Sequence, residues 1–307
     1  MKGITVASCK IGNLPYNCHF KVFDSAILPI ICYGSEVWGP QYYDVIENVQ
    51  RKWCINFLGV SNYTPKEAIH GECGRLPVFV HTLKRCINYW LKLIEMPNNR
   101  LPKQAYIMLY NLDALGRNNW ATSIKNTLFS YGFGFVWIAQ EVGDKGKFIV
   151  EFITRVSDTC KQEWRTNLSQ KPKLRTYNVF KSILEPEKYL SLNCHKSLIT
   201  TFARFRCSSS SLAIEEGRHH NIAPHLRFCK VCNLMEVEDE YHFLLICEKY
   251  NDLRQKFLPQ ESHSEPNTLK FKKLMTTNDY FQLLNLCKYT TMAFKRRNFI
   301  LATDRVM

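Results

Sequence analysis

Four side chains place the tightest constraint on this chain: Cys229, Cys232, His242 and Cys247, in the spacing Cys-x2-Cys-x9-His-x4-Cys. Two thiols three positions apart sit on one tight turn, and an imidazole and a thiol from a following helical segment can close on the same ion. Three sulfurs and one nitrogen complete a tetrahedral set. The spacing therefore predicts one structural Zn²⁺ that braces the local fold and leaves no position for an activated water. Such a site carries a formal charge of about −1, which Arg227 and Lys230 are placed in sequence to offset. His219, His220 and His225 read as surface or supporting histidines, because His242 already supplies the imidazole.

The remaining cysteines behave differently. The chain has 13, an odd number, and positions such as Cys32, Cys54 and Cys86 lie among apolar neighbours, which fits small buried thiols better than a disulfide framework. Met1 to Asn17 lacks the continuous apolar core of a signal peptide, so an intracellular, reducing compartment is expected. No run approaches the roughly 20 apolar residues of a spanning helix, and the longest candidate, 26–33, is interrupted by Pro29, so no membrane partner is expected. A length of 307 residues at 46% hydrophobic content supports two or three compact units. The balance of 41 Lys plus Arg against 27 Asp plus Glu, a net charge of +14, suits a polyanionic partner.

Apolar periodicity predicts a mainly α fold. Val45, Val49, Trp53 and Phe57 recur at helical steps, Gly59 marks a helix end, and Gly71, Gly74 and Pro77 mark a turn-rich link before the run through Trp90 and Leu93. Pro97 to Pro102 is a break, and helical pattern continues from there to about Leu192. Within it, 133–139 followed by 143–148 also fits a short hairpin rich in Gly and aromatics, with helix the preferred reading. Leu198, Ile199, Phe202 and Phe205 share one helical face, Ser208 to Ser211 ends that pattern, and Pro259 to Asn267 reads as a linker to a last helix around 279–301. Four segments follow: a helical region at 1–97, a basic helical connector at 98–195, the zinc-binding module at 196–260, and a linker with a terminal amphipathic helix at 261–307.

The wording around the ligands, IEEGRHHNIAPHLRFCKVC and VEDEYHFLLICEKYNDLR, preceded by FDSAILPIICYGSEVWG, NFLGV, TPKEAIHGECGRLP and NYWLKL, resembles the C-terminal part of reverse transcriptases of non-LTR retrotransposons, with its zinc-binding end domain. The likeness runs from about Phe23 to Phe257, with NNWATSIK and LRTYNVFK in its weaker middle. It implies that the first region is a thumb-like helical bundle contacting the template and primer backbone. The paired palm aspartates such a polymerase needs are absent, as are the Pro-Asp and acidic-x-Lys elements of the endonuclease some relatives carry. The expectation is therefore a non-catalytic portion, with Met1 beginning inside a longer ancestral reading frame. Cys18-His19 and Cys194-His195 do not form nucleophile–base pairs, because adjacent side chains do not face each other.

Basic residues supply the expected contacts. Between 145 and 181 nine basic residues stand against three acidic ones, with Trp164 and Tyr177 interleaved, a pattern that fits a phosphate-tracking, base-stacking surface or equally a solvated helix face over buried aromatics. Lys171, Lys173 and Arg175 from this stretch, and Arg204, Arg206, Arg218, Arg227 and Lys230 around the zinc module, are the candidate contacts to RNA or DNA. Glu236, Glu238, Asp239 and Glu240 read instead as a helix-start cluster screening local positive charge, and Lys295, Arg296 and Arg297 as a basic helix end. Two other readings stay open. One is a zinc-stabilised module that binds protein, including the polymerase portion of the parent element; the other is a decayed element copy.

Overall fold

The structure, a computed structural model, describes residues 14–303. The outermost parts of the first and last expected segments, 1–13 and 304–307, lie outside it, as does most of the N-terminal stretch read for a signal peptide. The fold is mainly α, as the periodicity predicts. In chain order the α-helices are α1 (Tyr16–Val22), α2 (Leu28–Ile31), α3 (Ser35–Trp38), α4 (Asp44–Leu58), α5 (Lys66–Cys73), α6 (Phe79–Glu95), α7 (Leu101–Ala114), α8 (Trp120–Ser130) and α9 (Gly134–Ala139). They continue as α10 (Lys145–Ser169), α11 (Arg175–Phe180), α12 (Lys196–Arg206), α13 (Ala213–His219), α14 (Asn251–Phe257), α15 (Gln260–His263), α16 (Thr268–Met275) and α17 (Tyr280–Thr303). Among the described residues the β pairing consists of isolated bridges, Cys73 with Pro186 and Phe228 with Val237. The hairpin considered for 133–148 does not form; α9 and the start of α10 occupy it.

Contacts divide the chain into two units that cut across the four linear segments. Among the described residues one comprises 21–50 and 76–164, the other 14–20, 51–75 and 165–303. Chain order misleads here because helices far apart in sequence share a core.

In the unit of 21–50 and 76–164, α6 is the central helix. Val80, Leu83, Ile87, Trp90 and Leu91 repeat at three- and four-residue steps, and all are buried. Around them pack Ile124 and Leu128 of α8, Val136 and Trp137 of α9, and Phe148, Phe152 and Val156 of α10. Burying each large apolar side chain contributes about 1.5–3 kcal/mol before chain entropy is counted. Polar groups enter this core in pairs: Trp90 Nε1 donates to Tyr106 Oη (3.0 Å), which donates in turn to Gln140 Oε1 (2.5 Å). Two devices fix the start of α6. The Glu47 carboxylate accepts from the backbone N–H groups of Val78 (3.0 Å) and Phe79 (2.8 Å), placing negative charge at a helix N-terminus. Gly39 lets α3 approach α6, since a Cβ there would stand 2.8 Å from the carbonyl oxygen of Thr82.

The other unit contains the quartet. Here α12 packs along α17, which also receives α14. Ile199, Phe202 and Phe205 of the predicted helical face are buried, and Phe294 stacks on Phe243 at 4.5 Å. Polar side chains are built into this interior. Arg206, 2% exposed, holds Glu72 with its Nε (3.0 and 3.2 Å) and Nη2 (3.1 Å), Glu187 at 2.9 Å and the Met275 carbonyl at 2.7 Å. Gly74 ends α5 in the left-handed region (φ +60°), and a Cβ would meet the Pro186 nitrogen at 2.1 Å. The phrase HGECG thus presents a buried carboxylate and then turns the chain where only glycine fits.

Candidate metal centre

The four predicted ligands come together. All are buried, and one donor atom from each lies within 4.8 Å of the others, so the cluster is able to hold a metal ion. Two segments deliver them. Phe228 bridges Val237, Cys229 N–H donates to the Glu236 carbonyl (2.8 Å) and Glu238 N–H to that of Arg227 (2.9 Å), which closes a narrow loop carrying Cys229 and Cys232. A helical turn at His242–Ile246 then presents His242, and Cys247 follows at its C-terminal end. Asp239 starts that turn: its carboxylate accepts from His242 N–H at 2.9 Å.

Backbone amides point at the sulfurs in a repeated pattern. Cys229 receives N–H groups from Val231 and Cys232, Cys232 receives that of Leu234, and Cys247 that of Lys249. Amides two residues beyond each cysteine favour thiolate over thiol. The protons divide accordingly. A hydrogen bond from Cys247, with further ones from His242 and the amides, holds the Cys229 thiol down at about 3 against the opposing effect of burial. Cys247 is pushed far up by donating to Cys229 and by burial, and Cys232 is raised chiefly by burial. His242 is oriented by its second nitrogen. Nδ1 lies 3.1 Å from the Glu236 carboxylate, and Nε2 faces the sulfurs, 3.4 Å from that of Cys232. Burial lowers the imidazole, but the hydrogen bonds to Cys229 and Glu236 outweigh it and leave it raised.

A buried polar cage supports the quartet. Arg297 of α17 grips Glu238 with both arms, at 2.6 and 2.7 Å, with both side chains 1% exposed. The second Glu238 oxygen also accepts from Ala213 N–H at 2.7 Å. Arg254, buried in α14, donates to the carbonyls of Cys247 and Leu244, and Tyr289 donates to those of Phe243 and Leu244. Arg254 is the cation bonded to a ligand's own backbone. Arg227, expected to offset the site's charge, bonds the carbonyls of Ile214 (2.7 Å) and Ile222 (2.7 and 2.9 Å) instead. Its side chain fills the space left by Gly217, where a Cβ would meet it at 2.7 Å.

The eight basic residues expected to meet nucleic acid separate into groups. Arg206 and Arg227 are corrections: Arg206, 2% exposed, is taken up by the Glu72 and Glu187 carboxylates, and Arg227, 8% exposed, has its guanidinium bonded to the carbonyls of Ile214 and Ile222. Three more are accessible but lie beside acids. Lys173 stands 3.8 Å and Arg218 3.3 Å from the buried Glu215, and Arg175 lies 3.5 Å from Asp239 and 3.7 Å from Glu240. Lys171, Arg204 and Lys230 are exposed and have no acidic partner among the described residues. Trp164 and Tyr177 are buried, at 8% and 0% exposure, so neither is a stacking platform and the solvated-face reading of 145–181 holds for its aromatics. His219, His220 and His225 are exposed, while His19 is buried against Trp53 and His195 caps α12.

Sequence reasoning missed Glu236, the Glu238–Arg297 pair and Arg254. The acidic run was visible, but its four carboxylates are divided among His242, Arg297 and Arg175, and only the fold assigns them. No helix among the described residues is long and apolar enough to cross a membrane, and none of the described cysteines is in a disulfide. Compared with known protein families, curated proteins and solved structures, the chain matches none.

Proposed function

We propose that the quartet binds one structural Zn²⁺ and that the unit around it is a non-catalytic nucleic-acid-binding module, the C-terminal part of a non-LTR retrotransposon reverse transcriptase. The donor set supports zinc. Sulfurs bound at about 2.3 Å in a tetrahedron stand roughly 3.8 Å apart, compatible with the observed convergence, and amide-supported thiolates with a carboxylate-oriented imidazole are what a closed zinc site requires. With four protein donors no position remains for substrate, so the ion acts on folding. The retroelement assignment rests on the phrases around the ligands and on their order.

The observation that carries nucleic-acid binding is the sorting of charge. Six acidic and five basic side chains are buried among the described residues, leaving the cationic excess on accessible groups, with Lys171, Arg204 and Lys230 free of acidic partners. Such groups exchange condensed counterions for phosphates, so affinity falls steeply with salt. The test is titration of the zinc-loaded protein with single- and double-stranded RNA and DNA across a salt series. Binding whose logarithm falls linearly with log salt, with a slope reduced by about 2–3 in a Lys171→Ala/Arg204→Met/Lys230→Ala variant, is expected. Salt-independent binding, or none, sinks the reading.

A second reading has its own observation. Leu226, Leu234 and Met235 are exposed at 52%, 45% and 73% on the segment that carries Cys229 and Cys232, and exposed apolar side chains on a braced loop suit a protein partner. Under that reading the polymerase portion of the parent element is captured equally well by the charge-neutralised variant, and the slope does not change.

A further inference from the structure

Helices α12 and α17, with the loops 59–61 and 209–211, wall a cavity of about 710 Å³. All of these segments belong to the unit that carries the quartet. None of the four metal ligands lines the cavity, so it is separate from the metal centre. Its volume lies within the roughly 300–1,000 Å³ of small-molecule sites and leaves room for a nucleotide.

Val60 and Phe294 give the lining an apolar part, and the rest of it is polar. Hydroxyl side chains contribute Ser61, Ser197, Thr201, Ser209, Ser210, Ser211 and Thr291, and two cations, Arg204 and Lys295, come from α12 and α17. Arg204 is held in place by Nε, which donates to the Gly59 carbonyl at 2.5 Å, and its terminal nitrogens have no partner among the described residues. Lys295 is exposed and has no carboxylate partner there either. One acid, Glu216, is in the wall, and the buried Arg297 guanidinium lies within its electrostatic reach. Ser61, Ser197 and Ser211 are the exposed hydroxyls of the wall, whereas Ser210 Oγ and Thr291 Oγ1 are shut off from solvent behind it.

We propose that this cavity seats a phosphomonoester, the terminal phosphate of a nucleic-acid strand. A terminal phosphate carries between one and two negative charges near neutral pH and presents three strong acceptor oxygens. The fork of Arg204, the point charge of Lys295 and the exposed hydroxyls of Ser61, Ser197 and Ser211 supply donors of both kinds. An internal phosphodiester has one charge and two free oxygens, and both its neighbours must leave the cavity, so it uses the donors less fully. This inference deepens the nucleic-acid reading and rests on it for the identity of the strand; the phosphate pocket itself is tested separately.

The experiment has two arms on the zinc-loaded full chain. Calorimetric titration with inorganic phosphate probes the pocket alone. Paired titrations with one oligonucleotide, bearing or lacking a phosphate at the 5′ end and then at the 3′ end, probe the strand terminus. Phosphate binding is expected, together with roughly tenfold tighter binding of one end-phosphorylated form, the gain of about one charge-assisted contact. Lys295→Met, outside the surface tested by the salt series, removes that preference and leaves the salt-dependent binding of the unphosphorylated strand in place. Equal affinity for phosphorylated and unphosphorylated strands at both ends overturns the inference while the nucleic-acid reading stands. A preference that survives Lys295→Met, which is exposed and leaves the fold intact, overturns it too. Phosphate binding without any strand binding keeps the pocket, removes its assignment to a strand end and refutes the broader reading.

Discussion

Of the eleven acidic or basic side chains buried among the described residues, ten lie in the unit that carries the Cys/His quartet and one, Glu47, in the unit of 21–50 and 76–164. The latter is held by apolar packing around Trp90, Phe152 and their neighbours, with its carboxylate at a helix N-terminus. The unit with the Cys/His quartet places Glu72 with Arg206, Glu238 with Arg297, and a thiol-imidazole cluster inside. Apolar packing tolerates changes of salt, pH and metal, whereas buried charges and ligands are stable only while each partner is present and in its proper protonation state. The two units therefore respond to different perturbations.

Metal removal tests this difference most severely. A structural zinc site contributes about 10–16 kcal/mol of apparent binding free energy near neutral pH, more than the net stability of most domains. Chelation, or Cys232→Ser, is expected to strip hydrogen-exchange protection from the amides of 228–250 and from the core of α12 and α17. Protection across 83–93 in α6 should persist. Equal loss in both places breaks the comparison, and no loss in either refutes a structural ion.

The buried ion pair comes next. Glu238→Gln leaves Arg297 charged and unpaired where only 1% of either side chain is exposed, with an expected cost of about 3–5 kcal/mol. Replacing both, as Glu238→Leu with Arg297→Met, recovers most of that loss if the penalty is an orphaned charge. Denaturant melts of the two variants separate this from simple loss of packing, for which the double change is worse than the single one. Glu238 also accepts from Ala213 N–H, so recovery is expected to be incomplete.

These charges explain what could and could not be seen beforehand. The α content, the breaks near Gly59 and Pro97, and the ligand set were legible because periodicity and spacing are local. Partnership is not local. Arg206 and Arg204 stand two residues apart on one helix; one is buried against Glu72, 134 positions away, and the other lines an open cavity. Equally, 145–181 reads as one cationic stretch with two aromatics, yet Trp164 and Tyr177 face inward. Interleaving of the chain between two units, with α4 and α10 each contributing residues to both, has no signature in composition.

A smaller effect follows from His19 in the unit with the quartet. It is 3% exposed, stacks on Trp53 at 4.5 Å, and burial, aided by the positive charge of Lys196, lowers it from 6.5 to about 4 despite a hydrogen bond with Trp53 backbone that acts the other way. Its folded value lies below its unfolded one, so the unfolded state gains the proton first as the solution is acidified. Stability from this group is present above pH 6.5 and is lost as pH falls toward 4, by about 3 kcal/mol at most. His19→Phe, which keeps an aromatic ring in the cluster with Phe20 and Phe57, should flatten that part of the pH profile of the unit with the quartet. A profile unchanged by His19→Phe shows that the imidazole is not the group responsible.

The counterpart in the apolar unit is smaller still and sits at its edge. Asn119 caps α8: its carboxamide oxygen accepts from Ala121 N–H at 2.7 Å, and Thr122 Oγ1 returns the favour by accepting from Asn119 N–H at 3.1 Å. The Asn119 amide also donates to the carbonyls of Leu109 and Arg117, both at 2.9 Å. Asn119→Ala removes the cap and two further hydrogen bonds, but water reaches the half-buried site and re-solvates what is left, so about 1–2 kcal/mol is expected. Exchange protection measured along α8 should fall without any change at 228–250. Because no titrating group is involved, the loss should be the same at pH 5 and pH 8. A pH-dependent loss there means that ionisation does reach the apolar unit, and the division between packing and charge then has to be drawn around elements smaller than the two units.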